Sequence, residues 1–334
     1  MNKLIKGAII MSDGSSPDIS VILVTLDHYE RIRKTIKYLR SQTVSDSMEV
    51  VIVAPSSDKL GLNESELKDF LKFQVVEVGE IESTGGCIAA GVHKSCAPVI
   101  SYVEEHVYPE AGWAEALINA HRKPYAAVGA VIYNANPGSM ISWASLFTDF
   151  GPWVEQSLSI KNRGLAPHQT SYKRSVLLEY GTELKTMLEV ETILHRDLLS
   201  KGYQLYLEPA AKVNHLNPSL LSSYLGSEFQ GGRLFGTARA HYEHWSIGKR
   251  LLYIIGMPLI PLIRLRRVLK EIRRTAVKPN LLPSILPALI MGLISHSLGE
   301  ITGYAFGVGD APQRRLTIEL ERSRHIKEQD KYRE

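Results

Sequence analysis

Residues Val99–Leu117, with the sequence VISYVEEHVYPEAGWAEAL, contain the change from strand to helix on which the predicted fold depends. The opening apolar run, VISYV, has the length and β-branched content of a buried strand. Glu104, Glu105 and His106 follow directly, and an apolar-periodic helix begins near Gly112. Ligands of open α/β sheets bind beyond the carboxyl ends of the strands, so these polar side chains are candidates for a functional site.

Glu104 and His106 are two residues apart and therefore project to the same side of an extended chain. A carboxylate and an imidazole in this arrangement are suitable ligands for a divalent cation that binds a diphosphate. The alternative interpretation is a solvated acidic loop without a ligand.

The chain before this stretch alternates between strand patterns and helix patterns. The strand patterns occupy 19–25, 49–54 and 73–78, and the helix patterns occupy 29–41, 64–72 and 87–95. Such alternation predicts an α/β fold with a mainly parallel sheet and right-handed crossover connections.

The composition is that of an ordinary globular protein, with 44% hydrophobic and 22% charged residues among 334. Cys87 and Cys96 are the two cysteines, and they provide neither a disulfide framework nor a metal-binding spacing. This cysteine usage is typical of a reducing compartment. We interpret residues 1–17 as an N-terminal arm and not as a signal peptide, because they contain no long apolar core or cleavage site.

Three groups of motifs occur in a familiar order. The segments SVILVTLDHYERIRKTIKYLRSQT (20–43) and EVVIVAPSSD (49–58) come first, followed by Glu104-Glu105-His106, Pro109 and Gly112-Trp113, and then LEVETILHRDLLSKGYQLYLEPAAKVNHL (188–216). Together they resemble the motifs of family 2-type inverting glycosyltransferases with the GT-A fold. The resemblance implies a Rossmann-like GT-A domain over residues 18–245, with helices on both faces of the sheet.

The resemblance also implies roles for individual residues. The nucleotide-sugar contacts would be Thr25, Asp27, Asp58, Glu104 and Glu105, the metal ligands Glu104, His106 and His215, and the acceptor contacts Trp113, His168 and Gln169. Glu191 takes the place of the catalytic aspartate that accepts a proton from the acceptor hydroxyl. The cofactor implied is a divalent cation, Mn²⁺ or Mg²⁺.

Glu191 also stands out from the residues alone, because it lies in the first turn of a helix predicted within the segment 186–201, with Val190, Ile193, Leu194 and Leu198 as one apolar stripe. A carboxylate there is favoured by the helix dipole. Two alternatives stay open at this point: Glu191 only stabilises the helix terminus, or Glu189 is the base.

Two departures from the family pattern affect the donor site. The aspartate that usually ends the second strand is Ala54 here, and the usual Asp-x-Asp motif reads Glu104-x-His106. The identity of the donor's nucleotide base is therefore not predicted. Either the metal site uses altered ligands or the leaving group is stabilised without metal.

The C-terminal part of the chain contains basic segments that alternate with apolar segments. Nine Lys or Arg and one acidic residue occur between Lys249 and Lys278, beside the proline-interrupted apolar runs 251–263 and 281–294. Runs shorter than about 20 residues favour interfacial or re-entrant segments over spans. Basic flanks beside them favour an anionic membrane surface over nucleic acid. The alternative is a helical subdomain packed on the rest of the chain.

These observations predict four regions: the arm 1–17, the GT-A domain 18–245, a membrane-associating helical region 246–310 and a charged tail 311–334. We expect a glycosyltransferase that moves a sugar, with inversion, from a nucleotide-sugar donor to a lipid-linked or polysaccharide acceptor at the cytoplasmic face of the membrane. The alternative is a catalytically silent relative that binds nucleotide or glycan within a synthesis complex. No nucleic-acid partner is expected, because no recognisable module accompanies the basic residues.

Overall fold

A computed structural model describes residues 10–11, 16–155, 160–161, 164–275 and 281–331. Most of the predicted N-terminal arm, Lys278 and the last three residues of the predicted tail lie outside this part. By the contacts within it, the chain divides into two compact units, Met1–Val131 with Ser157–Asn214 and Ile132–Gln156 with His215–Glu334. The boundary predicted at residue 245 does not separate these units, because 132–156 and 215–245 group with the C-terminal helices.

The regular elements are numbered in chain order. The strands are β1 Ile10–Met11, β2 Ile19–Val24, β3 Met48–Ala54, β4 Lys72–Glu77, β5 Val99–Tyr102, β6 Val107–Pro109, β7 Tyr125–Asn134, β8 Ile160–Lys161, β9 Thr170–Lys173 and β10 Gln204–His215. The helices are α1 Tyr29–Arg40, α2 Thr84–Lys94, α3 Trp113–His121, α4 Met140–Phe150, α5 Arg174–Leu178, α6 Leu184–Glu189, α7 Glu191–Ser200, α8 Leu221–Tyr242, α9 Ile247–Ile255, α10 Leu259–Arg274, α11 Leu281–Phe306, α12 Ala311–Leu320 and α13 Glu328–Lys331.

The strands form one mixed sheet in the order β1-β4-β3-β2-β5-β9-β7-β10-β6, with β8 paired to β10. Its block β4-β3-β2-β5 is parallel, and in this register Val21 pairs with Val50 on one side and Ser101 on the other. The predicted α/β class is confirmed. Strand β9 runs antiparallel to both β5 and β7, an arrangement that the strand–helix alternation did not predict. Because β2, β3 and β5 are parallel neighbours, their carboxyl ends lie at one edge of the sheet.

One predicted helix differs from the observed structure, and a second segment contains a break. Within the helix predicted over 64–72, only Glu64–Glu66 are helical, as a 3₁₀ turn. Lys72 is already the first paired residue of β4. The segment 186–201 contains two helices, α6 and α7, with a break at Val190 (φ −134°, ψ 74°), and Glu191 begins α7, in agreement with its predicted place in the first turn of a helix.

Close packing of α6 on the start of α2 accompanies this break. A Cβ atom at Gly85 would lie 2.3 Å from the backbone oxygen of Lys185 and 2.5 Å from the backbone nitrogen of Glu189. The carboxylate of Glu189 accepts a hydrogen bond from the Gly85 backbone N–H at 2.7 Å. Glu189 therefore stabilises the N-terminus of α2, where a negative charge is favourable.

In the second unit, α8 and α11 pack with their backbones in contact. A Cβ atom at Gly232 would lie 2.1 Å from the carbonyl oxygen of His296, and one at Gly299 would lie 2.0 Å from that of Phe229. Only glycine permits this separation, as in the small-residue packing known from closely associated helices. Helix α12 packs on α8 and buries Leu316 and Leu320, so this part of the predicted charged tail is structured.

Helix α11 is longer than the second apolar run, 281–294, on which the prediction of a short interfacial segment was based. It continues through Pro287 to Phe306, and two of its polar residues contact α8: Ser295 donates to the carbonyl of Leu225, and His296 contacts Glu228. Among the described helices, α11 alone is long and apolar enough to cross a membrane, and 39% of its most apolar window is buried within the protein. Core helices of soluble proteins satisfy the same criterion.

Candidate active site

The Glu104-Glu105-His106 segment follows β5, and all three side chains are buried. Glu104, which is 2% exposed, accepts a hydrogen bond from the Gln169 side-chain amide at 2.9 Å. The Nε2 atom of His106 lies 3.8 Å from a carboxylate oxygen of Glu104. The interpretation of this segment as a solvated acidic loop is therefore wrong.

His215, the third predicted metal ligand, is also buried. It is the last residue of β10, a strand whose other residues all belong to the first unit. One carboxylate oxygen and two imidazole nitrogens form a donor set that suits Mn²⁺ or another transition metal better than Mg²⁺, which prefers oxygen ligands. The three residues thus fit a divalent metal ion.

The state of His215 is suitable for metal binding. Burial lowers the pKa of His215 to about 4, so that the imidazole is neutral at pH 7. Its Nδ1 lies 2.9 Å from Oδ1 of Asn217, while the Asn217 amide nitrogen donates to Asn134 and to the His215 carbonyl. An amide oxygen only accepts, so Nδ1 carries the proton and the lone pair is on Nε2.

Glu191 is the second buried carboxylate, only 3% exposed at the first position of α7. Its Oε1 accepts a hydrogen bond from the Tyr172 hydroxyl at 2.7 Å. Its Oε2 accepts a hydrogen bond from the backbone N–H of His168 and lies 3.3 Å from that residue's Nδ1. A carboxylate held by oriented donors in a buried position has the properties expected of a general base.

The turn that leads into β9 contacts both carboxylates. His168 has φ +63°, a left-handed conformation that few residues other than glycine adopt, and its N–H binds Glu191. The next residue, Gln169, binds Glu104. His168 and Gln169, two of the three residues predicted to contact the acceptor, thus bind the two acidic groups of the site, and their role toward an acceptor stays a prediction.

Two further residues, Tyr172 and His195, were missed in the sequence analysis. The Tyr172 hydroxyl that donates to Glu191 also lies 2.7 Å from Nε2 of His195, and both side chains are buried. His195 lies four residues after Glu191, on the same face of α7. The spacing Glu-x-x-x-His in ETILH is therefore a signal that could have identified His195.

The other predicted nucleotide-sugar contacts lie after β2, β3 and β5, and their roles stay predictions. Thr25 is buried, and its hydroxyl donates to the carbonyl of His28. The carboxylate of Asp27 pairs with Arg31 at 2.6 Å, and this hydrogen bond holds the pKa of Asp27 below its usual value. Asp58 is exposed.

The remaining two predicted contacts are more enclosed. Glu105 is buried, and its backbone carbonyl accepts a hydrogen bond from the Thr35 hydroxyl at 2.7 Å. Trp113 begins α3 and is 2% exposed, so it packs as a core residue. Neither geometry assigns a ligand to these side chains.

No family model matches this sequence, and no curated protein matches it.

Proposed function

We propose that this chain is an inverting glycosyltransferase that uses a nucleotide-sugar donor, with Glu191 as the general base. The observation that carries the proposal is the buried Glu191 carboxylate, fixed by Tyr172 and His168, on the same turn that binds the metal-compatible residue Glu104. One buried base and one site for the leaving diphosphate are the two requirements of an inverting sugar transfer.

In the proposed reaction, Glu191 removes the proton from the acceptor hydroxyl while that oxygen forms a bond to the anomeric carbon. The bond between this carbon and the diphosphate oxygen breaks at the same time, and its electron pair leaves with the nucleoside diphosphate. The proton ends on the Glu191 carboxylate. A cation bound by Glu104, His106 and His215 would neutralise charge on the departing diphosphate.

The alternative assignment of the base to Glu189 has less support. Its carboxylate binds the Gly85 backbone N–H and is therefore occupied with the N-terminus of α2. The donors to Glu191 come instead from the turn and from β9, within the candidate site itself.

A panel of nucleotide sugars tests the donor part of this proposal. Uridine, guanosine and thymidine diphosphate sugars are added to the full chain with Mn²⁺ or EDTA, with water as the acceptor hydroxyl, and both thermal stability and nucleoside diphosphate release are measured. We expect one donor class to stabilise the protein and to be turned over. Binding without turnover would favour a catalytically silent relative that binds nucleotide, and no response to any donor would contradict the proposed transferase.

We also propose that this enzyme works on an anionic membrane surface, because α9 and α10 expose an apolar face that we call the α9–α10 face. Ile247 and Ile255 are 78% and 77% exposed. The further members of the α9–α10 face are Leu251, Leu252, Leu259, Leu262 and Ile263. Exposed basic residues follow on α10: Arg266, Arg267, Lys270 and Arg273. Apolar insertion combined with cationic contacts is the usual mode of interfacial helix binding.

Vesicle flotation tests this membrane proposal. The full chain is mixed with vesicles of phosphatidylcholine alone or with about 30 mol% phosphatidylglycerol, a composition chosen to give roughly physiological anionic charge. We expect flotation only with the anionic vesicles, and its loss in Ile255→Glu and in the pair Arg266→Glu with Arg267→Glu. The control pair Lys59→Glu with Arg122→Glu changes the net charge equally at exposed positions elsewhere, and it should still float.

A further inference from the structure

Tyr172 and His195 form a chain of hydrogen bonds that ends on Glu191. The Tyr172 hydroxyl oxygen lies 2.7 Å from Oε1 of Glu191 and 2.7 Å from Nε2 of His195. At the far end, the backbone N–H of Leu165 donates to Nδ1 of His195 at 3.3 Å. All four residues belong to the first compact unit.

The direction of every hydrogen bond in this chain follows from its far end. A backbone N–H only donates, so Nδ1 of His195 is an acceptor and the ring proton is on Nε2. Nε2–H must then donate to the Tyr172 oxygen, and the Tyr172 O–H is left to donate to Glu191. Burial lowers the pKa of His195 to about 3 and raises that of Tyr172 well above 10, so at pH 7 the imidazole is neutral and the phenol is protonated.

We propose that Tyr172 and His195 are positioning residues, which hold the Glu191 carboxylate in the orientation needed to take a proton from the acceptor hydroxyl. This inference rests on the proposed role of Glu191 as the base. The chain positions Glu191 and does not carry the proton away, because each donor already points toward the carboxylate. His195 has no vacant acceptor on Nε2 for a proton arriving through Tyr172.

Buried polar residues that only stabilise the fold would affect unfolding and leave the chemical step unchanged. A positioning role instead predicts an effect on kcat that depends on the presence of the Glu191 carboxylate. We expect Tyr172→Phe to lower kcat by about 10- to 100-fold, a part of the total contribution of a general base. The KM for the donor should stay within about threefold, since Tyr172 contacts the base and not the donor site.

Two histidine variants separate the hydrogen bond from simple packing. His195→Gln retains an N–H donor for Tyr172 and an oxygen acceptor for Leu165, whereas His195→Phe retains volume without either group. We expect His195→Gln to keep most of kcat and His195→Phe to resemble Tyr172→Phe. Equal kcat values in the two histidine variants would overturn the proposal.

The deciding experiment is a double-mutant cycle on kcat with Tyr172→Phe and Glu191→Gln. Because Tyr172 acts through the carboxylate, adding Tyr172→Phe to Glu191→Gln should change the residual rate by less than about twofold. Independent, multiplicative losses would overturn the positioning role.

If the wild type turns over no donor, the proposed function fails and the positioning role fails with it, whereas ¹⁵N NMR of His195 tests the hydrogen-bond chain itself and needs no turnover. A neutral ring protonated on Nε2 at pH 7, assigned by its absence in His195→Gln, would support the chain. A ring protonated on Nδ1, or a cationic ring, would overturn it.

Discussion

Gln169 and Glu104 form a buried hydrogen bond of 2.9 Å between an amide nitrogen and a carboxylate oxygen. The preceding residue, His168, binds Glu191 through its backbone N–H. One turn therefore fixes both carboxylates of the proposed reaction. Glu104 would bind the cation at the leaving diphosphate, and Glu191 would act as the base. A change in this turn is expected to affect both.

Replacing Gln169 tests its role in orienting a metal ligand. Gln169→Leu removes the donor to Glu104, and loss of such an outer partner typically lowers metal affinity by about 10- to 100-fold. Isothermal titration with Mn²⁺ measures this change. Gln74→Leu is the matched control, because Gln74 donates to the buried Glu49 at 2.7 Å in the same unit. It should lower stability without changing Mn²⁺ affinity, and equal Mn²⁺ affinities for Gln169→Leu and the wild type would contradict the assignment.

The donor set of Glu104, His106 and His215 predicts a preference for Mn²⁺ over Mg²⁺. Mn²⁺ at about one hundred times its dissociation constant should add about 2.7 kcal/mol to the free energy of unfolding. His106→Gln should abolish this increase. His121→Gln, at a buried histidine hydrogen-bonded to Ser171, should retain it. Equal stabilisation of the wild type and His106→Gln would show that the cation binds elsewhere.

The stability of the first unit should fall on acidification. Burial lowers the pKa of His121 to about 4, compared with about 6.5 in an unfolded chain. Below about pH 6.5 the unfolded chain binds a proton that the folded unit does not accept until about pH 4, so the free energy of unfolding decreases as pH falls. This stability is fully present above about pH 6.5. The contribution of one such histidine approaches about 1.4 kcal/mol per pH unit.

Urea denaturation between about pH 6.5 and 5 measures this slope. His121→Gln should reduce this slope by up to the uptake of one proton on unfolding. An unchanged slope in His121→Gln would show that His121 is protonated in the folded protein. The range between about pH 6.5 and 5 avoids most carboxylate titration, because Asp and Glu of the unfolded chain titrate near about pH 4.

The contact of α8 with α11 predicts opposite effects of two glycine substitutions on the same helix. Gly232→Ala would place a Cβ 2.1 Å from the carbonyl oxygen of His296, so it should lower the free energy of unfolding by about 1–3 kcal/mol or more. Gly226→Ala would place its Cβ at 4.0 Å from a side-chain atom of Ile318, an ordinary contact. It should be neutral or stabilising by up to about 1 kcal/mol, because alanine favours the helix. Chemical denaturation compares the two, and similar effects would contradict this packing.

Local sequence patterns predicted the parallel part of the sheet because its strands are continuous apolar runs. Strands β2, β3 and β5 and helix α1 agree with the predicted segments to within one residue at either end. The same patterns could not place β9 between β5 and β7, because its partners lie distant in the chain. The order of strands, and with it the proximity of Gln169 to Glu104, depends on that placement.

The candidate site was predictable only in part, for the same reason. Glu191 was predicted from its position at a helix start, but the break at Val190 accompanies a tertiary contact, that of α6 with Gly85 in α2. Tyr172 carried no local signal, since its partners lie 19 and 23 residues further along the chain. The burial of Glu104 is likewise a tertiary property, because the sequence there is equally compatible with a solvated loop.

The central claim, that Glu191 is the base of a glycosyl transfer, is tested most directly by comparing Glu191→Gln with Glu189→Gln. Both variants neutralise one carboxylate in the same segment, and the amide oxygen introduced by Glu189→Gln can still accept the hydrogen bond from Gly85. Transfer is followed as nucleoside diphosphate release and as the anomeric configuration of the product. We predict that Glu191→Gln lowers kcat by about 10²- to 10⁴-fold, that Glu189→Gln stays within about threefold of the wild type, and that the product is inverted. Unchanged turnover in Glu191→Gln, or a retained configuration, would contradict the claim.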